Sequence, residues 1–72
     1  MTLKDTPVGT QVAIARLAAE GALKRRIMDM GLTKGTPVRI VKVAPAGDPI
    51  ELDVRGYSLS IRKAEASLIE VK

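Results

Sequence analysis

Cysteine and histidine are both absent from this 72-residue chain, and Tyr57 is its one aromatic residue. The lack of Cys excludes a disulfide and a thiolate metal site, and it agrees with a reducing compartment. With His missing too, the usual soft and borderline ligands for zinc, copper or iron are not available. The commonest general base and the best nucleophile are missing with them, so the composition points away from an enzyme. A single aromatic means that the core has to be aliphatic. No apolar run approaches the roughly 18–20 residues of a membrane span. The opening Met1-Thr2-Leu3-Lys4-Asp5 lacks the apolar stretch of a signal peptide, and a cytoplasmic protein is expected. Neither GxGxxG nor GxxxxGK[ST] occurs, which argues against a nucleotide hydrolase.

What is present suits one small globular domain spanning residues 1–72, with 46% hydrophobic and 28% charged residues. A chain of this size buries only about 60% of the surface that its unfolded form exposes, and a stability of about 3–5 kcal/mol follows. The net charge is +4 and the pI is near 9.9. Such a balance suits nucleic acid, an anionic membrane surface or an acidic partner, and it also serves solubility alone.

The clearest pattern runs from Pro49 to Arg62. Ile50, Leu52 and Val54 alternate with Glu51, Asp53 and Arg55. After Gly56, Tyr57, Leu59 and Ile61 alternate with Ser58, Ser60 and Arg62. Period-two alternation predicts a β-hairpin with one buried face. A two-residue Arg55-Gly56 turn pairs Val54 with Tyr57, Leu52 with Leu59 and Ile50 with Ile61. All these apolar side chains, Tyr57 included, then face the core, and a one-residue slip would expose them. Arg is unusual at the first turn position, and a longer, bulged loop is the alternative.

Upstream, Leu3 to Thr10 reads as a lead-in and Gln11 to Arg16 as a strand with Val12 and Ile14 on one side. Ala19, Leu23, Ile27 and Met30 form a helical stripe within Ala18 to Met30, and Gly21 is the favoured helix start. Gly31 suits the left-handed residue that ends a helix, with Leu32 packing back on Ile27. Thr33 to Pro37 is a turn and Val38 to Ala44 a strand. That strand is apolar on both faces, so it should be curved or covered on both sides. Pro45 to Pro49 is a loop. Lys63 to Ser67 reads as one helical turn and Leu68 to Val71 as a last strand. Five short strands at this spacing suggest a small barrel, which removes exposed sheet edges.

Candidate functional residues are few. Glu51 and Asp53 fall on the solvent face of a strand, and Asp48 suits a turn. Asp48 and Glu51 are weak candidates for a hard-cation site. Lys24-Arg25-Arg26 offers phosphate contacts, but single-strand nucleic acid binding calls for exposed aromatics that the chain lacks. A groove reader needs a free helix, so nucleic acid is disfavoured. Met28 lies off the helical stripe. Exposed beside Leu17 or Leu32, it would form an apolar patch of the kind that binds a partner.

Four further segments, in order, carry a family resemblance. They are Ile27-Met28-Asp29-Met30-Gly31-Leu32, Lys34-Gly35-Thr36-Pro37-Val38, Ala44 to Ile50, and Gly56 to Arg62 with Glu65-Ala66 after it. Ile69-Glu70-Val71 also fits. The chain resembles the FeoA family, the small cytoplasmic component of bacterial ferrous iron transport. Lys34 stands where that family often has Pro, and Ile61 where Leu is common. The resemblance implies an SH3-like small β-barrel of about five strands with one α-helix and a short helical turn. It implies no enzymatic activity and no cofactor. It implies a partner, the membrane transporter FeoB with its cytosolic GTP-binding region. Leu23, Arg25, Arg26, Met28 and Leu32 are then the expected contact surface, and Gly31, Gly35, Gly47 and Gly56 the structural turns. Residence near the anionic inner leaflet fits the positive charge. The alternatives are the SH3-like domain of a metal-dependent transcriptional repressor and a small basic nucleic-acid-binding module. The start at Met1 favours a standalone protein over a repressor fragment. Oligomeric state is not indicated.

Overall fold

A computed structural model describes residues 1–72, and the β-hairpin forms in the register that the alternation predicts. Strand β3 (Ile50–Val54) and strand β4 (Tyr57–Ile61) pair as Val54 with Tyr57, Leu52 with Leu59 and Ile50 with Ile61. The turn is the two-residue form. Arg55 and Gly56 both have positive φ, 49° and 88°, as a type I′ turn requires. Gly56 adopts this at no steric cost, whereas Arg55 is held in a region that side chains other than Asn and Asp avoid.

Strand β2 (Pro37–Val43) lies beside β3, then strand β1 (Gln11–Leu17), then strand β5 (Ile69–Val71), giving the antiparallel order β4-β3-β2-β1-β5. The sheet bends where extra residues interrupt its ladders. One shift falls between Ile40 and Lys42 of β2, and one between Ile14 and Arg16 of β1. Bulges of this kind increase local twist and help a short sheet curl. Inside the curl sit Val12, Ile14, Val38, Ile40, Leu52, Val54, Ile61 and Ile69, all buried. Each comes from the inward phase of its strand. A 3-10 turn, Leu3–Asp5, sits in the lead-in and buries Leu3 under the barrel.

Helix α1 (Gly21–Asp29) connects β1 to β2, and the four-residue helix α2 (Lys63–Ala66) connects β4 to β5. The end of α1 follows a Schellman geometry. Leu32 N–H donates to Ile27 C=O at 3.3 Å and Gly31 N–H to Met28 C=O at 2.9 Å. Gly31 has φ 91°, and Leu32 is buried with Ile27 in the same core cluster, as the motif's apolar contact requires.

Two expectations need correction, for Tyr57 and for the helical stripe. Tyr57 lies on the predicted face of β4, but β4 is the edge strand, and Tyr57 is 44% exposed although its partner Val54 is buried. Its hydroxyl instead donates to Met30 C=O at 2.7 Å, tying β4 to the end of α1. Of the two alternatives expected for β2, the structure shows the bend, and Val41 and Val43 remain exposed. The helical stripe is shorter than predicted. Ala19 is buried but precedes the helix, Leu23 is at the surface, and Ile27 is the only buried residue within α1.

Candidate partner-binding site

Ile27 fixes how α1 lies on the barrel, and that decides where its neighbours point. At about 100° per residue, Lys24 and Met28 fall on one flank of Ile27. Leu23 and Arg26 fall on the other, and Arg25 points away from the barrel. The basic triplet is therefore split three ways.

Arg26 reaches α2. Its guanidinium lies 3.3 Å from Glu65 Oε2, and Glu65 Oε1 accepts the Arg62 N–H at 2.9 Å. Glu65 is only 7% exposed. A buried carboxylate needs such partners, so Arg26 has a structural task besides its surface position. Arg25 is exposed and enters no ion pair within 4 Å.

Met28 is 44% exposed and lines an open cleft of about 490 Å³. The floor is apolar and comes from Leu17, Ala18, Ala19 and Met28, where the end of β1 turns into α1. The rim is polar, with Lys24, Glu20 and, from the turn before β2, Lys34. Backbone hydrogen bonds hold both walls. Ala18 N–H donates to Leu68 C=O at 2.7 Å, and Gly35 N–H donates to Ile14 C=O at 2.7 Å. The Thr33 and Thr36 hydroxyls lie 2.9 Å apart and brace the turn that carries Lys34. Arg16 also borders the cleft, but it is ion-paired with Glu70. Lys24 and Lys34 against Glu20 leave the rim net positive. An apolar floor with a cationic rim suits an aliphatic side chain carried on an acidic segment.

The structure thus brings Met28 and Leu17 together, which is one of the two pairings expected for an apolar patch. Leu32 is 0% exposed. It forms the apolar contact of the helix cap and drops out of the expected contact surface. Leu23 lies on the opposite flank from the cleft. Lys34 and Glu20 were not anticipated, because turn residues carry no periodic signal; only the departure from Pro at Lys34 marked the position. The carboxylates do not assemble into a cation site. Asp48 Oδ1 accepts the Lys63 N–H at 3.0 Å at the start of α2, Glu51 stands opposite Lys42 and Ser60, and no three acidic side chains converge. Gly35 and Gly47 have φ of 88° and 85°. No helix is long and apolar enough to cross a membrane.

A five-stranded curled antiparallel sheet with a helix in its first long connection and a short helical turn before the last strand defines an SH3-like barrel. The chain belongs to the FeoA domain family, whose model matches residues 1–72. The FeoA-like protein of Clostridium acetobutylicum is 43% identical, with a TM-score of 0.92 over 100% of this chain and 84% of that one. The zinc-complexed FeoA of Stenotrophomonas maltophilia, described as a prokaryotic SH3 domain protein, is 30% identical. Its TM-score is 0.85 over 100% of this chain and 89% of that one. A fusion of Fe(2+) transport protein A with the Fe(2+) transporter FeoB, from Porphyromonas gingivalis, is 33% identical over 72 residues. The chain spans 8% of the length of that fusion protein. ScaR with bound Cd2+ shares the fold at 21% identity and a TM-score of 0.90 over 35% of its chain. At that identity the likeness is one of fold alone.

Proposed function

We propose that this domain is a regulatory accessory of Fe(II) uptake that docks on the cytosolic, GTP-binding part of an FeoB-type transporter. The observation that carries this reading is the fusion protein, in which a domain similar to this chain is covalently joined to FeoB. Joining two partners raises their effective concentration without new contacts, and a contact that is used in the fused form is available to separate chains. The docking surface is the cleft of Leu17 and Met28 with its rim of Lys24 and Lys34, continued by Arg25 on the outer face of α1; Leu23, on the other flank, is not part of it. The domain works in the cytoplasm, and its charge of +4 holds it near the anionic inner leaflet, at about 1 kcal/mol per surface cation.

The test is an NMR titration of labelled protein with the cytosolic region of the cognate FeoB, with and without GTP. Shifts are expected at Ala18 to Glu20, Lys24, Met28 and Lys34. Met28→Glu should weaken binding at least tenfold. Shifts confined to other residues would keep the partner and displace the site. The absence of any shift, with the cytosolic region and again with full-length FeoB in nanodiscs, would overturn the reading.

A further inference from the structure

The two edges of the sheet are treated differently. The outer edge of β5 is covered by the N-terminal segment. Thr2 bridges Glu70, and the Val71 N–H donates to Met1 C=O at 2.9 Å. The outer edge of β4 pairs with nothing.

Which backbone groups face out from β4 follows from the ladder. Gly9 N–H donates to Ile40 C=O at 2.7 Å and Ile40 N–H to Thr10 C=O at 3.2 Å, so Ile40 faces the β1 side of β2. Its neighbour Arg39 therefore faces β3, where it is opposite Asp53. Leu52 and Val54 then face β4, where they meet Leu59 and Tyr57. Alternation leaves Ser58 and Ser60 with N–H and C=O directed outward. Both serines are exposed, and their backbone groups have no other partner.

The edge lacks the usual protection. Tyr57-Ser58-Leu59-Ser60-Ile61 contains no charge, no proline and no bulge, and such an edge is a template for strand pairing. The charges lie at its ends. Arg55, Arg62 and Lys63 are exposed and enter no ion pair. The acids on the neighbouring strand are opposed, Glu51 by Lys42 and Asp53 by Arg39.

We propose that the β4 edge takes up an extended segment of another protein as an additional strand, and that the segment has an uncharged centre and acidic ends. Ser58 and Ser60 supply the main-chain hydrogen bonds. Arg55 at one end, and Arg62 with Lys63 at the other, set the charge of the occupant. The same charges disfavour a second copy. Antiparallel self-pairing centred on Leu59 would join Ser58 to Ser60 of the other copy, but it would also set Arg62 and Lys63 against the other copy's Arg55.

The test is amide hydrogen exchange by NMR, with a synthetic peptide of alternating Thr and Val that ends in paired glutamates. In the free protein, Leu59 and Ile61 exchange slowly because they face β3, while Ser58 and Ser60 exchange fast. Peptide at millimolar concentration should slow Ser58 and Ser60 at least tenfold. The same peptide ending in paired lysines should bind at least tenfold more weakly at low salt. Ser58→Pro removes one outward N–H from an edge strand, where proline is tolerated, and should abolish the protection. Arg62→Glu combined with Lys63→Glu leaves the ladder intact and should weaken the acidic peptide at least tenfold. Unchanged exchange at Ser58 and Ser60 with peptide, or equal binding of the two peptides, would overturn the proposal. So would protection that rises with protein concentration alone, which would assign the edge to a second copy.

Discussion

The hairpin β3–β4 and the helix α1 are of similar length, yet different forces hold them. The hairpin has a continuous ladder, and Ile50, Leu52, Val54 and Ile61 are all buried. Helix α1 has nine residues, one of them buried, and so short a helix is not stable by itself. It is kept in place by Ile27, by the cap at Gly31, by the Tyr57 hydroxyl on Met30 C=O and by Arg26 on Glu65. A ladder makes a scaffold. A helix pinned at a few points leaves most of its side chains free for a partner, and its local opening should require less energy than unfolding of the barrel.

This contrast can be broken by removing the pins one at a time. Ile27→Ala has the largest expected effect, a loss of about 2–5 kcal/mol from transfer and cavity terms. Thermal or urea denaturation should show much of the domain's margin gone. Gly31→Ala comes next, at about 2 kcal/mol. The new Cβ sits at positive φ and overlaps the Tyr57 hydroxyl, combining backbone strain with a clash. The cost should be smaller in a Tyr57→Phe background, and a double-mutant cycle reads that coupling. Equal costs in both backgrounds would show that the hydroxyl moves aside freely. Tyr57→Phe alone should cost about 1 kcal/mol, the net value of one hydrogen bond, and should speed amide exchange in α1 more than in β3.

Two smaller effects sharpen the contrast from the hairpin side and from the cleft. Arg55→Gly relieves the left-handed residue of the turn and should stabilise by about 0.5–1 kcal/mol, seen as a raised Tm. A lower Tm would mean that the Arg55 side chain contributes more than its backbone costs. Met28→Glu should leave stability within about 0.5 kcal/mol, while the binding described above is lost. A large change in Tm for Met28→Glu would show that Met28 belongs to the packing of α1.

The amino-acid order alone determined the hairpin and the phase of its strands, because period-two alternation leaves a single phase that buries the apolar set, while the structure decided for the two-residue turn over a bulged loop. It likewise determined the helix stop, since Gly31 followed by Leu32 encodes both the left-handed residue and its apolar contact. The positions of the other strands and of the second helical turn came from the same local rules. Tertiary structure decided what happens where an element meets no further layer. Tyr57 has the inward phase, but it stands on the edge strand, and its hydroxyl reaches Met30 C=O at the end of α1. Leu23 belongs to the helical stripe, but only Ile27 meets the barrel. Val41 and Val43 find no second layer. The cleft was not legible at all beyond Met28 and Leu17, because Glu20, Lys24 and Lys34 come from a loop, a helix and a turn that share no period. Their meeting depends on how α1 lies over the end of β1, and that angle is set by packing at Ile27 and Leu32 rather than by any local pattern.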